Sequence, residues 1–457
     1  MSIPRTLTPI SLVAVAYWLT CSTAVAEDWP QWRGPNRDGV WQAENLVDEL
    51  PDGQLPLDWS VDIGAGYCGP TVADGRVFVM DRQTEDGKQT ERILCLDSKT
   101  GQQLWVHEYD APYTVSYTAG PRASVTIDEG RAYCVGAMGH FHCLDVTSGE
   151  VLWQRDLEAD FDVKLPIWGI AASPLIYQDK VIEQVSGTDG ACIVAFDKQT
   201  GGERWRALDE VAGYSSPILI QQAGQDVLVC WTGESLSGLD PNTGEVHWAH
   251  VMKPSRMPIG IGTPAVDGEL IFVSSFYDGS LMIRAPKDSF TSELVWRAAG
   301  IDERTTGTKT VQIGSEAVDD SNQESGNVYG IHSMIGTGIV QDGYIYGVDS
   351  YGELRCLEAA TGKRIWEDLS AVPKERWATI HMVRQADRVW MFNERGELLI
   401  AKLSPAGLDT IDRCQVIEPT RVQLNQRGGV VWTHPAYAEQ SIFARNDQRI
   451  VRASLHN

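Results

Sequence analysis

The eleven residues CLDSKTGQQLW at positions 95–105 are repeated along the chain. An acidic residue stands at position 3 of this motif, glycine at position 7 and tryptophan at position 11. Four more complete copies are CLDVTSGEVLW, AFDKQTGGERW, GLDPNTGEVHW and CLEAATGKRIW, which end at Trp153, Trp205, Trp248 and Trp366. Self-similarity of this kind indicates a repeat architecture that takes up most of the chain.

Two further copies of the motif are altered. In PKDSFTSELVW, Ser292 replaces the glycine, and in AKLSPAGLDTI, Ile411 replaces the tryptophan. Successive copies end 48, 52, 43, 48, 70 and 45 residues apart. This spacing, with alternating apolar strands and glycine-rich turns between the copies, is typical of β-propeller blades.

Each position of the motif has a physical role. The acidic side chain accepts hydrogen bonds from N–H groups of the following turn, and glycine adopts the left-handed conformation that reverses the chain. The tryptophan then opens the next strand and lays a flat apolar surface against the neighbouring blade. We therefore assign a structural role in the blades to Gly101, Trp105, Gly149, Trp153, Gly201, Trp205, Gly244, Trp248, Trp296, Gly362, Trp366 and Trp59.

The number of repeats predicts how the ring closes. Seven complete or altered blades span about 67–415, and residues 434–455 hold three strands with no motif after them. LPLDWSVD at 55–62 is a tryptophan-bearing strand with no blade before it. If Trp59 completes the last blade, the two ends of the ring join and no open sheet edge remains. We predict an all-β, eight-bladed propeller of four-stranded antiparallel blades over 55–457, closed by an N-terminal strand.

The start of the chain predicts an exported protein, and the net charge argues against nucleic acid as a partner. Residues 1–26 have the pattern of a signal peptide, because a short apolar stretch precedes the small residues Ala24-Val25-Ala26. We expect a periplasmic or extracellular protein, monomeric and without a transmembrane segment. The formal net charge of −24 repels phosphate backbones, so nucleic acid is not expected as a partner.

Two segments lie outside the repeat. Residues 27–54 form an N-terminal arm, and its tryptophans Trp29, Trp32 and Trp41 predict that it packs on the flank of the propeller. An insertion at about 300–327 is polar, acidic and without helical periodicity. It is expected to be a solvated loop, with a flap over the channel mouth or a partner-docking arm as the alternative.

The cysteines do not indicate a disulfide scaffold or a zinc site. Eight follow the signal segment, and none belongs to a CxxC or adjacent pair. Most stand in strand-like runs, where cysteine acts as a small buried apolar residue. A disulfide between Cys134 and Cys143 across a hairpin remains an open alternative.

The motif and the number of blades resemble those of the PQQ-repeat propellers, which include quinoprotein alcohol dehydrogenases and the scaffold lipoprotein of outer-membrane protein assembly. The stretches at 28–40, 350–366, 392–405 and 432–447 are similar to a group of secreted bacterial PQQ-like propellers. The resemblance covers nearly all of the chain after residue 26. It implies the fold, but not one function, because this fold supports enzymes, scaffolds and sensors.

The resemblance also implies what a working quinoprotein requires. Its cofactor lies between a tryptophan floor and a disulfide of adjacent cysteines, and calcium or a lanthanide is bound by Glu, Asn and Asp beside an aspartate base. This chain has no adjacent cysteines and no DxDxDG calcium loop. We therefore predict no cofactor, and keep PQQ with calcium as the alternative.

Loops that enter the innermost strands of a propeller form its usual binding mouth. Here they carry aromatic, arginine and histidine side chains that can hold a flat or acidic ligand by stacking and charge-assisted hydrogen bonds. The alternative for each is packing at the rim. The candidate ligand-binding residues are Tyr67, Arg122, Trp168, Tyr214, Arg256, His332, Trp377, His381 and His434.

No metal site and no catalytic residue are assigned. His332, His381 and His434 come from three successive blades, but no nearby pair has the spacing of metal ligands. His140 and His142 are expected to point mainly to opposite faces of their sheet. The sequence also contains no GxSxG elbow, P-loop or dinucleotide fingerprint.

The sequence is compatible with three hypotheses about function. The leading hypothesis is a non-catalytic exported propeller that binds or scaffolds an envelope protein or peptide through its channel face. The second is a quinoprotein-like oxidoreductase of the alcohol dehydrogenase type. The third is a polysaccharide-binding propeller that uses the rim aromatics as stacking platforms.

Overall fold

The strands of the chain form eight antiparallel sheets arranged as the blades of a propeller. The structure, a computed structural model, describes residues 28–299, 310–313, 316–319 and 330–456. Within these ranges seven sheets have four strands and one has six. The predicted all-β, eight-bladed fold is confirmed. The expected signal peptide, residues 1–26, lies outside the described residues.

The first four blades follow one another along the chain, and each runs from the channel outwards. Their strands are Thr71–Ala73, Arg76–Glu85, Lys88–Asp97 and Gln103–Asp110; Thr126–Asp128, Arg131–Val135, His140–Asp145 and Val151–Asp156; Leu175–Tyr177, Lys180–Gln184, Ile193–Asp197 and Glu203–Ala207; Ile218–Gln222, Gln225–Trp231, Ser235–Leu239 and Val246–Val251. A short helix, Leu157–Phe161, follows blade two, and its N-cap is Asp156.

Blades five to eight continue the ring. Their strands are Ala265–Asp267, Leu270–Ser275, Gly279–Arg284 and Glu293–Ala299; Ile339–Gln341, Tyr344–Val348, Leu354–Glu358 and Arg364–Asp368; Ile380–Gln385, Arg388–Asn393, Glu397–Ser404 and Gly407–Gln415; Ala436–Ala438, Ser441–Arg445, Arg449–Ser454 and, from the N-terminal side, Trp59–Asp62. Buried apolar side chains fill the interfaces between neighbouring blades.

The N-terminal strand closes the ring as predicted. Trp59–Asp62 is the outer strand of blade eight and pairs antiparallel with Arg449–Ser454, with Trp59 opposite Arg452. Arg452 also donates from Nη1 to the carbonyl oxygen of Ser98 in blade one, at 2.9 Å. Blade eight is therefore built from both ends of the chain and is bonded to the blade that follows it in the ring.

Most of the motif tryptophans hold one blade to the next. The indole N–H of Trp105 donates to the carbonyl oxygen of Val146 in blade two at 2.9 Å, and that of Trp153 donates to Lys198 in blade three at 3.1 Å. Equivalent bonds join Trp59 to Ser98, Trp205 to Pro241, Trp296 to Ala359 and Trp366 to Ser404.

In five blades the motif glycine lies directly beneath the tryptophan of the preceding blade, and Gly407 of blade seven is the exception among the described residues. A Cβ atom on Gly149 would be 2.7 Å from the Trp105 ring, and one on Gly201 would be 2.7 Å from the Trp153 ring. Both glycines also have a positive φ, 75° and 71°. Glycine is therefore required at this position for close contact with the indole as well as for the turn.

The altered copies of the motif have altered docking. Blade five has Ser292 at the glycine position, and the indole N–H of Trp248 donates to Gln222 Oε1 of its own blade at 2.8 Å. Ile411 precedes blade eight, whose third and fourth strands come from opposite ends of the chain. Because no motif turn joins those two strands, no glycine is present there to receive a tryptophan.

The N-terminal arm enters the channel, so the prediction that it packs on the flank was wrong. The backbone of Trp29 exchanges hydrogen bonds with Val72 of blade one, and the carbonyl oxygen of Pro30 accepts from Ile127 of blade two. Across the ring, Trp41 N–H donates to the carbonyl oxygen of Arg384 in blade seven at 2.8 Å. The innermost strands have an unpaired edge facing the axis, and the arm satisfies some of its polar groups.

Arg37 fixes the arm from inside the channel. Its guanidinium donates to the carbonyl oxygens of Ser173, Pro174 and Pro217, which belong to blades three and four. The side chain is 3% exposed. After this point the arm runs along blades seven and eight, where Val47 N–H donates to the carbonyl oxygen of Leu455.

The insertion contributes two strands to blade five. Thr310–Ile313 pairs with the outer strand Glu293–Ala299, and Glu316–Asp319 pairs with Thr310–Ile313. The described part of the insertion is therefore a hairpin on the outer edge of the blade, not a loop without structure or a flap at the axis. The remaining residues of 300–327 lie outside the described ranges.

Cys134 and Cys143 do not form the disulfide that the sequence left open. All eight described cysteines are buried and unpaired. In the hairpin, Cys134 lies opposite His142 and Cys143 lies opposite Tyr133. The two thiols pack into different interblade cores, on the blade-one side and the blade-three side of their sheet.

Two glycines of blade two allow the destabilisation from a strained turn to be distinguished from that caused by a clash with the docked tryptophan. Gly149 and Gly130 have nearly the same φ, 75° and 76°, but a Cβ on Gly130 would have no atom within 4 Å. We expect Gly130→Ala to lower the free energy of unfolding by about 1–2 kcal/mol, from the left-handed backbone alone. Gly149→Ala should cost a further 1–3 kcal/mol, approximately, because the methyl group meets the Trp105 ring.

Urea denaturation of both variants beside the wild type measures this difference. Equal destabilisation by the two substitutions would contradict a docking role for the motif glycine.

Candidate functional site

A cavity opens at the mouth of the channel, where the loops enter the innermost strands. Its empty space is about 820 Å³, including the part open to solvent. The lining residues are Trp32, Tyr67, Tyr117, Arg122, Trp168, Ala171, Ser173, Tyr214, Ser216, Ile261, Met334, Ile335, His381, Trp432 and His434. Cavities of this size hold small molecules or one or two side chains of a partner.

The structure brings six of the nine predicted ligand-binding residues together around this cavity. They are Tyr67, Arg122, Trp168, Tyr214, His381 and His434. The other three lie elsewhere. Arg256 lies over the ring of Tyr277 at 5.2 Å, and Trp377 packs beside the cavity in the apolar cluster around Trp432.

His332 is the clearest departure from the predicted site. Its side chain is 2% exposed, and Nδ1 lies 3.5 Å from Asp349 Oδ1. Arg355 Nη1 lies 3.0 Å from the same oxygen. Burial raises the pKa of Asp349, but the charge of Arg355 and hydrogen bonding to His332 outweigh that effect and lower it to about 2. His332 therefore belongs to a buried polar group in blade six, with Asp349 and Arg355.

Aromatic rings form much of the cavity wall. Trp168 and Tyr214 lie 5.1 Å apart between ring centroids with planes at 33°, and Tyr117 meets Trp168 edge-on at 5.8 Å. Tyr117 also lies 6.4 Å from Trp432. These rings hold one another in place and leave flat surfaces on which a planar or apolar group can stack.

The arm supplies part of the cavity, which the sequence did not predict. Trp32 Nε1 donates to Thr263 Oγ1 at 2.6 Å, and its ring meets His434 edge-on at 4.3 Å. Tyr117 and Trp32 lie in no repeat, so no sequence signal marks them. Trp432, Ile261, Met334 and Ile335 do lie within loops that the repeat places at the mouth.

Arg122 is the single cation of the cavity lining. It donates to the carbonyl oxygens of Gly120, Ser116 and Tyr117, and its guanidinium lies 5.0 Å from the centroid of the Tyr67 ring. In the described ranges it forms no ion pair, and no carboxylate lines the cavity. An anionic or electron-rich group is therefore the preferred occupant beside Arg122.

The two histidines of the cavity are neutral at pH 7. His434 Nε2 accepts from the Gly69 N–H and lies 2.8 Å from Ser124 Oγ. His381 Nε2 lies 2.9 Å from the carbonyl oxygen of Trp432, to which it donates. Burial lowers the pKa of His434 to about 3 and that of His381 to about 4. In addition, His381 lowers the pKa of His434 through charge repulsion.

The cavity does not offer the ligands that a calcium–PQQ centre requires. Calcium needs several oxygen ligands, chiefly carboxylates, and no carboxylate lines the cavity. Across the part of the chain that the structure describes, no group of three or more His, Cys, Asp and Glu side chains is arranged to hold a metal ion. The residues present at the mouth therefore do not fit this cofactor.

His140 and His142 point to the same face of blade two, so the prediction of opposite faces was wrong. Their rings lie 5.2 and 4.5 Å from the ring of Tyr109. Residues two apart on a strand share a face, because the side-chain period of a strand is two. With His107 they form an aromatic cluster on the outer part of blades one and two.

The blades are those of PQQ-like β-propellers, the quinoprotein alcohol dehydrogenase-like superfamily. Within it, the chain belongs to the family described as outer membrane protein assembly factor BamB, whose family model matches residues 89–368. In the described ranges, no helix is long and apolar enough to cross a membrane.

Individual relatives come from both branches of the superfamily. The chain is 23% identical to BamB of Moranella endobia over 282 residues, 55% of this chain and 66% of the relative. It is 30% identical to the 1-butanol dehydrogenase (quinone) of Thauera butanivorans over 152 residues, 30% of this chain and 24% of the relative. The chain therefore spans about a quarter of that dehydrogenase.

A solved structure of BamB from Moraxella catarrhalis has the same fold. It superimposes with a TM-score of 0.55 at 16% sequence identity, over 88% of this chain and 97% of that chain. At this identity the likeness concerns the fold.

The buried histidines make the stability of the propeller depend on pH. The pKa of each is near 6.5 in an unfolded chain and is lowered on folding, so the unfolded chain binds more protons below pH 6.5. The free energy of unfolding is therefore highest above pH 6.5 and falls as the pH falls towards 4. At pH 5, protonation of His381 in the unfolded chain alone should lower it by on the order of 1–2 kcal/mol.

The variant His381→Gln keeps a donor for the Trp432 carbonyl and removes the titration. We expect it to lose less stability than the wild type between pH 7.5 and 5, measured by urea denaturation at both values. The same loss in both proteins would show that His381 takes up no proton on unfolding in this range.

Proposed function

We propose that this protein is a non-catalytic binding protein that uses the cavity at its channel mouth to hold a cell-envelope protein or peptide. The observation that supports this proposal is the lining of the cavity, which is rich in aromatic rings and has one arginine and no carboxylate. Such a surface binds and orients a ligand but offers no acid–base pair of carboxylates. The family to which the chain belongs, described as an outer membrane protein assembly factor, supports a partner in the cell envelope.

The chemistry of the lining favours a partner group that is flat or apolar and carries negative charge. Trp168 and Tyr214 offer stacking faces, and Arg122 lies at the rim with its guanidinium already fixed by backbone carbonyls. Because the guanidinium is held in place before binding, little side-chain entropy is lost when an anion arrives. An aromatic side chain close to a carboxylate, such as occurs at the end of a peptide, meets both requirements.

The oxidoreductase alternative has less support. Its cofactor needs metal ligands that the cavity lining lacks, and the sequence has no adjacent cysteines. The dehydrogenase relative matches this chain over about a quarter of its own length. A match over a part of a shared repeat fold does not by itself carry an activity, because one fold supports many functions.

An aromatic anion tests the proposed binding chemistry directly. We expect 8-anilinonaphthalene-1-sulfonate to bind at the mouth and to change the fluorescence of the cavity tryptophans. Trp168→Ala and Arg122→Gln should each weaken this binding about tenfold or more, because the first removes a stacking face and the second removes a charge-assisted contact. Arg256→Gln is the matched control, because Arg256 does not line the cavity.

Calorimetric titration with PQQ, with and without calcium, tests the non-catalytic part of the proposal. We expect calcium to have no effect on any PQQ binding, and no dye-linked oxidation of alcohols. Calcium-dependent binding with turnover would overturn the proposal in favour of an oxidoreductase. Retention on a polysaccharide resin that is lost in Trp168→Ala would instead favour the sugar-binding alternative.

A further inference from the structure

A second, smaller cavity lies between the arm and the innermost strands of the ring, and three arginines border it. Its empty space is about 470 Å³, partly open to solvent, and its charged lining residues are Arg33, Arg37, Asp38 and Arg384. Arg33 and Arg37 belong to the arm, and Arg384 belongs to the innermost strand of blade seven. Three guanidinium groups at one cavity are unusual in a chain with a net charge of −24.

The backbone brings these arginines together and holds them there. Arg384 N–H donates to the carbonyl oxygen of Gly39, and Trp41 N–H donates to that of Arg384. Gly39 N–H in turn donates to the carbonyl oxygen of Arg33. Arg33 and Arg37 have positive φ values, 61° and 57°, so the arm maintains a backbone that non-glycine residues rarely adopt.

Two of the three guanidiniums have donors to spare. Arg33 donates to the carbonyl oxygen of Asp38, but its Nε is buried without a hydrogen-bond partner among the described residues. The side chain of Arg384 forms no hydrogen bond or ion pair with the part of the chain that the structure describes. The guanidinium of Arg37 already donates to three backbone carbonyl oxygens, so Arg37 contributes mainly its positive charge to the cavity.

The three arginines of this cavity outnumber its carboxylates. Asp38 is its one carboxylate, and Asp38 Oδ1 accepts from the N–H of Val40. None of the three guanidiniums forms an ion pair within the described ranges. Burial lowers the pKa of Arg33 to about 10 and that of Arg37 to about 9, so both remain charged at neutral pH.

We propose that this cavity binds a small oxyanion such as inorganic phosphate or sulfate, held by Arg33 and Arg384 and attracted by the charge of Arg37. Guanidinium groups present several N–H donors in a planar fork that matches the oxygens of such anions. A bound oxyanion would supply acceptors for the unused donors and would offset the repulsion between Arg33 and Arg384. It would also link the arm to blade seven.

Isothermal titration calorimetry with inorganic phosphate at pH 7 and constant ionic strength tests this site. We expect saturable binding of one phosphate per chain by the wild type, with sulfate competing and chloride not. Arg384→Gln should weaken phosphate binding tenfold or more. Its side chain forms no hydrogen bond or ion pair among the described residues, so the variant should remain folded. Arg384→Lys keeps the charge but not the planar fork of donors. Its affinity for phosphate should lie between that of the wild type and that of Arg384→Gln.

The matched control is Arg388→Gln. Arg388 also belongs to blade seven and donates to the arm, at the carbonyl oxygen of Val47, but it does not border the cavity. We expect phosphate binding by this variant to equal that of the wild type. Absence of saturable binding by the wild type would overturn the proposal. Unchanged binding by Arg384→Gln, or an equal loss in Arg388→Gln, would also overturn it.

Discussion

An indole ring lying on a glycine is the contact on which the ring of blades depends. In five of these contacts the tryptophan covers the motif glycine of the following blade, and its N–H reaches the carbonyl oxygen of the residue after the acidic position, as Trp105 does with Gly149 and Val146. The two halves of this contact fix both the separation and the tilt of neighbouring blades. The acidic residue holds the turn that presents them, since Asp145 Oδ1 accepts from the N–H groups of Thr147 and Ser148. Repetition of this geometry joins most of the neighbouring blades of the ring.

The same constraint explains where the motif is altered. The tryptophan is absent at Ile411, before the blade whose strands come from both ends of the chain and which therefore has no motif turn to receive it. The glycine is absent at Ser292, and there the preceding tryptophan, Trp248, uses a glutamine of its own blade. Loss of one half of the contact is thus matched by a change in the other half. These positions have adapted to an irregular part of the ring.

The sequence predicts the blades well because each copy of the motif specifies the same local turn and strand geometry. It also predicts which loops reach the mouth, and six of the nine candidate side chains do line the cavity. The rest could not be read from spacing. His332 turns to a buried carboxylate, Asp349, and a loop position does not reveal which way a side chain points. The position of the arm could not be predicted because its partners are backbone groups of several blades, which have no sequence signature. The orientation of His140 and His142 was predicted wrongly because residues two apart on a strand share a face.

The arm inside the channel also has a consequence for the order of folding. Its hydrogen bonds to Arg384 and Leu455 join residues separated by most of the length of the chain. The arm is synthesised before blades seven and eight, so its contacts with Arg384 and Leu455 form only after those blades have been synthesised. Contacts between residues so distant in sequence are slow to form, because a long loop must close before they stabilise anything. The blades can assemble one after another, but the centre of the molecule is completed in a single late step that joins the two ends of the chain.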